Sequence, residues 1–233
     1  MEENELALLT GEIGCGKTTI SRALVDRVGD SRPVILLINP RLTPAQLLRA
    51  IASGLELPAD RTRAALLDRI HERLYELHEQ DRHPLLIIDE AQLIPGRAAF
   101  DEIRLMTNFQ LDDQNLMSVV LIGQPELDDR LDRPQYEALR QRIGIRFRLH
   151  ALEPDETAKY VDHRIRVAGG SRNPFEAEAL DLLHRLTGGV PRLINAVATT
   201  ALLDAFGDDA TNIDRARIRS SAAEHRLGAK EDR

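Results

Sequence analysis

Eight residues close to the start of the chain, Gly11-Glu12-Ile13-Gly14-Cys15-Gly16-Lys17-Thr18, carry the spacing G-x-x-x-x-G-K-[ST] of a phosphate-binding loop. Glycines at these places let successive backbone N–H groups curl around phosphate oxygens, and a helix beginning directly afterwards adds the positive end of its dipole. Lys17 reaches the terminal phosphates and Thr18 is placed to hold magnesium. Glu12, Cys15 and Thr19 complete the positions expected along the nucleotide. Cys15 reads as a small residue that fits the loop; a redox-sensitive thiol is the alternative. A second group is Leu85-Leu86-Ile87-Ile88-Asp89-Glu90, an apolar run that ends in two acids. Two carboxylates there are costly unless a metal or a water uses them. Asp89 suits the magnesium shell, and Glu90 suits the base that orients and deprotonates an attacking water. The alternative is that the pair caps the helix that follows.

Positive charge comes from two further stretches, Leu139-Arg140-Gln141-Arg142-Ile143-Gly144 and Gly189-Val190-Pro191-Arg192-Leu193-Ile194. An arginine at a transferring phosphoryl group stabilises its spread charge and can contribute roughly 10³ to 10⁵ in rate. Taken singly, each stretch also reads as solvated surface. Phosphate loop, acid pair and arginines together describe nucleotide hydrolysis, and the lack of an N-K-x-D run favours ATP over GTP.

Holding these groups in place requires a particular set of elements. Five short runs, ELALLT, PVILLIN, PLLIID, MSVVLIG and IGIRFRL, are apolar on both alternating faces or nearly so, as expected of parallel strands buried on both sides. Amphipathic helices lie between them. In RTRAALLDRIHERLYELHEQ, residues Leu66, Leu67, Ile70, Leu74 and Leu77 form one stripe. Strand and helix in alternation predict an α/β domain over residues 1–150, a five-stranded parallel sheet sandwiched by helices. After His150 the strand signals stop, and a small all-helical domain is expected over 151–233. Its helices start at Glu153-Pro154-Asp155-Glu156 and at Asn173-Pro174, and the second ends at Thr187-Gly188-Gly189. The charged tail EHRLGAKEDR is expected to fray.

Composition narrows the function further. The chain has 233 residues, 42% hydrophobic and 30% charged, a globular mixture. Its apolar runs fall far short of the roughly 20 residues that span a membrane, and MEENEL is acidic, so neither a leader nor an anchor is expected. A single cysteine points to a reducing cytoplasm. The net charge of -7 and 3% aromatics disfavour a nucleic-acid-coating surface. The seven histidines show no metal-ligand spacing, and the basic residues in RIRVAGGSR and RARIRSS read as solvated helix faces.

Phosphate loop, LLIIDE, a polar residue after the fourth strand, arginines before the fifth and G-x-P-R in a helical second domain: this order resembles the AAA+ ATPases across nearly the whole chain. The resemblance implies a P-loop NTPase fold with a helical lid, ATP and Mg2+ as cofactors, and a homo-oligomer whose active sites are shared. Lys17 and Thr18 match the Walker A pair, Asp89 and Glu90 the Walker B pair, and Arg192 the lid arginine called sensor 2. Gln124, in LIGQPEL, falls where sensor 1 sits, and Arg142, with Arg140 as the other choice, where the finger offered to a neighbouring subunit sits. Asn39, before Pro40, reads as a turn former, with restraint of Glu90 as the alternative. The phrases LLINPRLTPAQLLRAIASGLELP, LIIDEAQLI and EIRLMTNFQLDDQNLMSVVLIGQPEL are similar to the secretion ATPases of the general secretion pathway protein A (ExeA) type, as is RPQYEALRQRIGIRFRLHALEPDETAKYVDHRIRVAGG. That family implies ATP use in assembling type II secretion or type IV pilus envelope machinery, with a cytoplasmic module peripheral to the inner membrane through its partners. Ten residues precede Gly11, fewer than is usual there, so a shortened form or a thinner adenine site is expected. Two other classes compete with this reading: a DNA-binding regulator similar to transposition ATPases, and a nucleotide switch that does not hydrolyse.

Overall fold

The computed structural model describes residues 6–29, 32–58, 62–111 and 114–227. Two compact units result, one from residues 1–12 and 17–149, the other from 13–16 and 150–233. In chain order the first unit comprises β1 (Leu6–Gly11), α1 (Lys17–Val28), β2 (Val34–Ile38), α2 (Pro44–Gly54), α3 (Arg63–Glu79) and β3 (Leu85–Asp89). There follow α4 (Gly96–Met106), the short antiparallel pair β4 (Gln110–Leu111) and β5 (Gln114–Asn115), β6 (Ser118–Gly123), α5 (Pro125–Leu131), α6 (Glu137–Arg140) and β7 (Ile143–Leu149). The five apolar runs are the five strands of one parallel sheet, ordered β2-β3-β6-β1-β7.

Period-2 alternation divides the strands between two cores. Leu6, Leu8, Leu86, Ile88, Val119 and Leu121 join Ile51, Ile70, Leu74, Phe100 and Ile103 from α2, α3 and α4 on one face. Leu9, Leu85, Ile87, Val120 and Ile122 meet Leu24, Val25 and Val28 of α1 on the other. In α3 the stripe is Leu66, Ile70, Leu74 and Leu77, all buried, with Leu67 partly so.

Burial on both sides holds for β3 and β6 but not for the edges. On β2, Leu36 and Ile38 are 41% and 67% exposed, and on β7, Ile145 and Phe147 are 39% and 58% exposed. Their register partners, Ile87 and Asp89 on β3 and Ala7 and Leu9 on β1, put all four on the α1 face. A helix is only about 10 Å wide, so α1 shields the middle strands of that face and leaves the margins open.

The second unit is helical: α7 (Pro154–Val167), α8 (Ala177–Thr187), α9 (Pro191–Gly207) and α10 (Arg215–Glu224). α7 begins as expected, with Pro154 at its first position and the Glu156 carboxylate accepting the Glu153 N–H at 2.9 Å. α8 begins later than Asn173-Pro174 predicts. The Asn173 side chain instead accepts the Phe175 N–H at 3.0 Å, and Phe175 pairs with Ile213 in a parallel bridge, so the helix starts at Ala177. Gly188, at φ 58°, ends it. Val161, Phe175, Leu183, Ile194, Val197 and Ile218 form this unit's core. Residues 1–5, within the acidic start, and 228–233, within the tail expected to fray, lie outside the described residues. Among the described residues no helix is long and apolar enough to cross a membrane.

One ion pair ties α3 to α4. The Arg63 guanidinium donates to both oxygens of Glu102, at 2.7 and 2.9 Å, and Glu102 is 6% exposed. Arg63→Ala would leave that carboxylate buried without its partner, a loss of about 1–3 kcal/mol. Urea unfolding is the check: R63A should lose that stability and the added change Glu102→Leu should restore most of it. An R63A midpoint equal to wild type would show that the pair ties nothing.

Candidate functional site

The phosphate-binding loop leaves β1 at Gly11, where β7 comes so close that a Cβ would stand 2.8 Å from Leu149 Cβ. Gly14 and Gly16 adopt φ of 89° and 101°, conformations that only glycine takes without strain. Lys17 opens α1 and is 7% exposed; its Nζ donates to the Gly11 and Glu12 carbonyls at 2.7 and 3.0 Å, so the buried ammonium is satisfied by the loop itself. Thr18 and Thr19 are exposed in the first turn, Glu12 is exposed, and Cys15 is buried. Within the second unit the Arg192 N–H, in the first turn of α9, donates to the Gly14 carbonyl at 3.2 Å. A Cβ on Gly14 would come within 2.9 Å of Arg192 Cβ.

Asp89 ends β3, 5% exposed, and its Oδ1 accepts the Glu90 N–H at 2.8 Å. Burial raises its pKa above the ordinary aspartate value, and the negative charge of Glu90 pushes the same way. The Glu90 N–H bond and the positive charge of Lys17 oppose both. The influence of Lys17 at Asp89 reflects their closeness, since β1 and β3 both flank β6.

Glu90 sits in the left-handed region, at φ 55° and ψ 37°, where a residue with a side chain pays a strain of about 1–3 kcal/mol. It occupies the cap position of the short 3₁₀ turn Ala91–Leu93, yet its side chain caps no N–H, which counts against the capping alternative. Its Oε2 instead accepts from Gln92 Nε2 and, at 3.4 Å, from Gln124 Nε2. Asn39, at φ 56°, makes the turn after β2, its carbonyl accepting the Arg41 N–H at 2.8 Å. Gln124 follows β6 as the cap residue of α5, and its N–H donates to Gln92 Oε1 at 3.1 Å. Arg140 is exposed at the end of α6, and Arg142 is half-buried before β7.

Two residues that sequence reasoning missed belong here. Gln92 bridges Glu90 and Gln124. Arg130, on α5, donates to the carbonyls of Gln92 (3.3 Å), Ile94 (2.7 Å) and Gly96 (3.0 Å) and to the Tyr136 hydroxyl (3.1 Å). Its guanidinium lies 4.8 Å from the Phe100 ring centroid. In the sequence Gln92 is only a polar residue two places after Glu90, and Arg130 is one more charge on a charged helix.

These residues fit a magnesium-bound nucleotide. The loop offers backbone N–H groups and an ammonium, Asp89 a desolvated carboxylate, and Thr18 an exposed hydroxyl at a helix start. Among the described residues no group of three or more His, Cys, Asp or Glu could hold a metal by itself. Magnesium bound with phosphates needs only one or two protein oxygens.

Comparison with known proteins places the chain in a family. Residues 1–131, more than half of the chain, match a family model described as an AAA domain. General secretion pathway protein A of Aeromonas hydrophila is 40% identical over 220 residues, which are 93% of this chain and 40% of that protein, so the chain spans less than half of this relative. Among solved structures, the ORC2 protein of Aeropyrum pernix in ADPNP-ADP complexes superimposes with a TM-score of 0.69 at 18% identity, over 96% of this chain and 63% of that one. CDC6P of Pyrobaculum aerophilum gives 0.68 at 19% identity, over 94% and 60%. The RuvB Holliday junction branch migration motor of Thermotoga maritima gives 0.64 at 17% identity, over 95% and 61%. At such identities these structures speak for the fold alone, the P-loop sheet with a helical C-terminal region. With phosphate loop, acid-tipped inner strand, fold and family model in agreement, the chain belongs to the AAA domain family, as a P-loop module similar to part of general secretion pathway protein A.

Proposed function

We propose that this chain binds and hydrolyses Mg-ATP and that hydrolysis drives or switches the assembly of a secretion or type IV pilus type envelope machine. The observation that carries the hydrolytic part is the end of β3, where a desolvated Asp89 feels Lys17 while the Glu90 carboxylate is held by side-chain amides and caps no helix. A cap residue needs no such support; a general base does. The envelope part rests on the 40% identity to general secretion pathway protein A.

Each residue then has a task. The N–H groups of Gly14 and Gly16 and the Lys17 ammonium neutralise phosphate charge. Lys17 exchanges its bonds to the Gly11 and Glu12 carbonyls for phosphate oxygens. Asp89 and Thr18 would hold magnesium, which supplies charge neutralisation at the phosphates when bound. Glu90 accepts the proton of the attacking water, with Gln124 beside it as sensor 1. Arg142, with Arg140 as the alternative, reaches the phosphoryl group of a neighbouring copy. Arg192, whose own N–H holds the Gly14 carbonyl, links the loop to α9 as sensor 2. The module sits at the cytoplasmic side of the inner membrane through its partners.

Lys17→Ala should abolish nucleotide binding in a fluorescent-analogue titration, because the phosphates lose their main counter-charge. Glu90→Gln should keep that affinity while turnover falls about 10²- to 10⁴-fold, the contribution typical of a general base. Retained affinity in K17A, or turnover at the wild-type rate in E90Q, would remove the site. Trapped in ATP, E90Q is also the bait for the partner. Capture of envelope-assembly proteins supports the reading, whereas salt-sensitive retention of DNA would replace it with that of a DNA-binding regulator.

If Arg142 acts across a subunit boundary, Arg142→Ala should bind ATP normally and turn it over poorly. Mixing R142A with E90Q should restore activity at the boundaries where an intact finger faces an intact base. Full-rate hydrolysis by a dilute monomer would sink the shared site.

Asp89 has a consequence for stability. Its raised pKa means that, between the unfolded and folded values, the folded state holds more protons than the unfolded chain. Stability therefore falls as pH rises through that window, and the penalty stays constant above it. Asp89→Asn should accordingly raise Tm at neutral pH, by about 2–4 °C for each kcal/mol recovered. The advantage should vanish below the ordinary aspartate range, and magnesium-dependent nucleotide binding should be lost. A lower Tm for D89N at pH 7 would contradict the assignment.

A further inference from the structure

The Glu90 carboxylate is held by a short chain of contacts. Gln92 uses both ends of its carboxamide: Nε2 donates to Glu90 Oε2, and Oε1 accepts the Gln124 N–H at 3.1 Å. Fixing the oxygen end by a backbone donor fixes which way the amide nitrogen points. The amide can dock there because residue 123 is glycine; a Cβ at that place would stand 2.8 Å from Gln92 Oε1. The main chain of Gln92 is anchored in turn, since Arg130 donates to the carbonyls of residues 92, 94 and 96. Arg130 is itself oriented by the Tyr136 hydroxyl and by the Phe100 ring. Gln124 Nε2 approaches the same Glu90 oxygen at 3.4 Å, a weaker second donor.

Glu90 needs this support. Its backbone is in the left-handed region, its side chain caps nothing, and it is only half-buried, so packing alone does not select its rotamer. Both amides converge on Oε2, leaving Oε1 as the oxygen to meet a water. A general base displaced by about 1 Å can lose roughly 10²-fold in rate, so a donor that sets its position has kinetic weight.

We infer that Gln92 is a positioning residue for hydrolysis, aiming the Glu90 carboxylate through its Nε2 while its Oε1 locks the amide against the backbone of Gln124. The inference rests on Glu90 being the base, as proposed above. It places a requirement for hydrolysis at the second residue after the acid pair, outside the phosphate loop and the arginines.

Three variants of the full chain test it against wild type and E90Q. Gln92→Glu keeps the acceptor for the Gln124 N–H but loses the donor to Glu90, Gln92→Ala loses both, and Gln92→Met keeps bulk without either. In all three kcat should fall about 10- to 100-fold, while KM, the affinity for a fluorescent ATP analogue and Tm stay within about twofold or 2 °C of wild type. A purely structural Gln92 would leave Q92E at the wild-type rate and lower Tm in Q92A and Q92M; either result overturns the inference. So does a loss of nucleotide affinity with kcat preserved. If wild type turns over ATP and E90Q is slowed about 10²-fold or more, such a failure falls on Gln92 alone. If wild type hydrolyses nothing in any oligomeric state, or E90Q hydrolyses as wild type does, the proposed function falls and the inference with it.

Discussion

The site depends on the cost of keeping a carboxylate at the end of a strand that is buried on both faces. β3 contributes Leu85 and Ile87 to one core and Leu86 and Ile88 to the other, so Asp89 emerges from an apolar wall with little water to solvate it. A buried anion of this kind is tolerated only where compensating charge and donors are close. The sheet order supplies them. With β6 between β3 and β1, the carboxyl ends of three parallel strands share one edge, and the phosphate loop leaves from the third. Open parallel sheets bind ligands at such an edge because helix N-termini and loops converge there. Burial raises the pKa of Asp89 above the ordinary aspartate value, so the empty protein carries a cost at this position.

Around that anion, positioning passes from rigid groups to mobile ones. Arg130 is held by four oxygen acceptors and two rings, and it fixes the carbonyls of residues 92 to 96. Gln92 transmits this order to Glu90, the residue with the most backbone strain in the acid pair. Lys17, by contrast, rests on loop carbonyls that phosphate oxygens can replace, and Arg140 stands free in solvent. The groups around Glu90 are clamped, and those proposed to meet phosphate charge are less so.

Much of this was legible in the chain. The loop spacing, the greasy run ending in Asp89 and Glu90, and the five apolar runs were readable because the loop is contiguous and each strand has its own periodicity. Edge exposure was not. Leu36, Ile38, Ile145 and Phe147 look like core residues in sequence, and their surroundings depend on α1 being the helix of that unit that packs on their face. The start of α8 was misread at Asn173 because the pairing of Phe175 with Ile213, 38 positions away, outweighs the local signal of Asn-Pro.

The sequence by itself determined the family and the strands of the sheet, since a phosphate loop requires glycines and a lysine at set spacing and each buried strand carries its own apolar run. Only the tertiary structure decided how Glu90 is held. Gln92 follows the acid pair, whereas Gln124 and Arg130 lie at the start and near the end of α5, more than 30 positions on, and nothing in their local sequence separates them from surface polar residues. Folding brings a carboxylate, two amides and a guanidinium within hydrogen-bonding distance, and hydrogen bonds act only at that range.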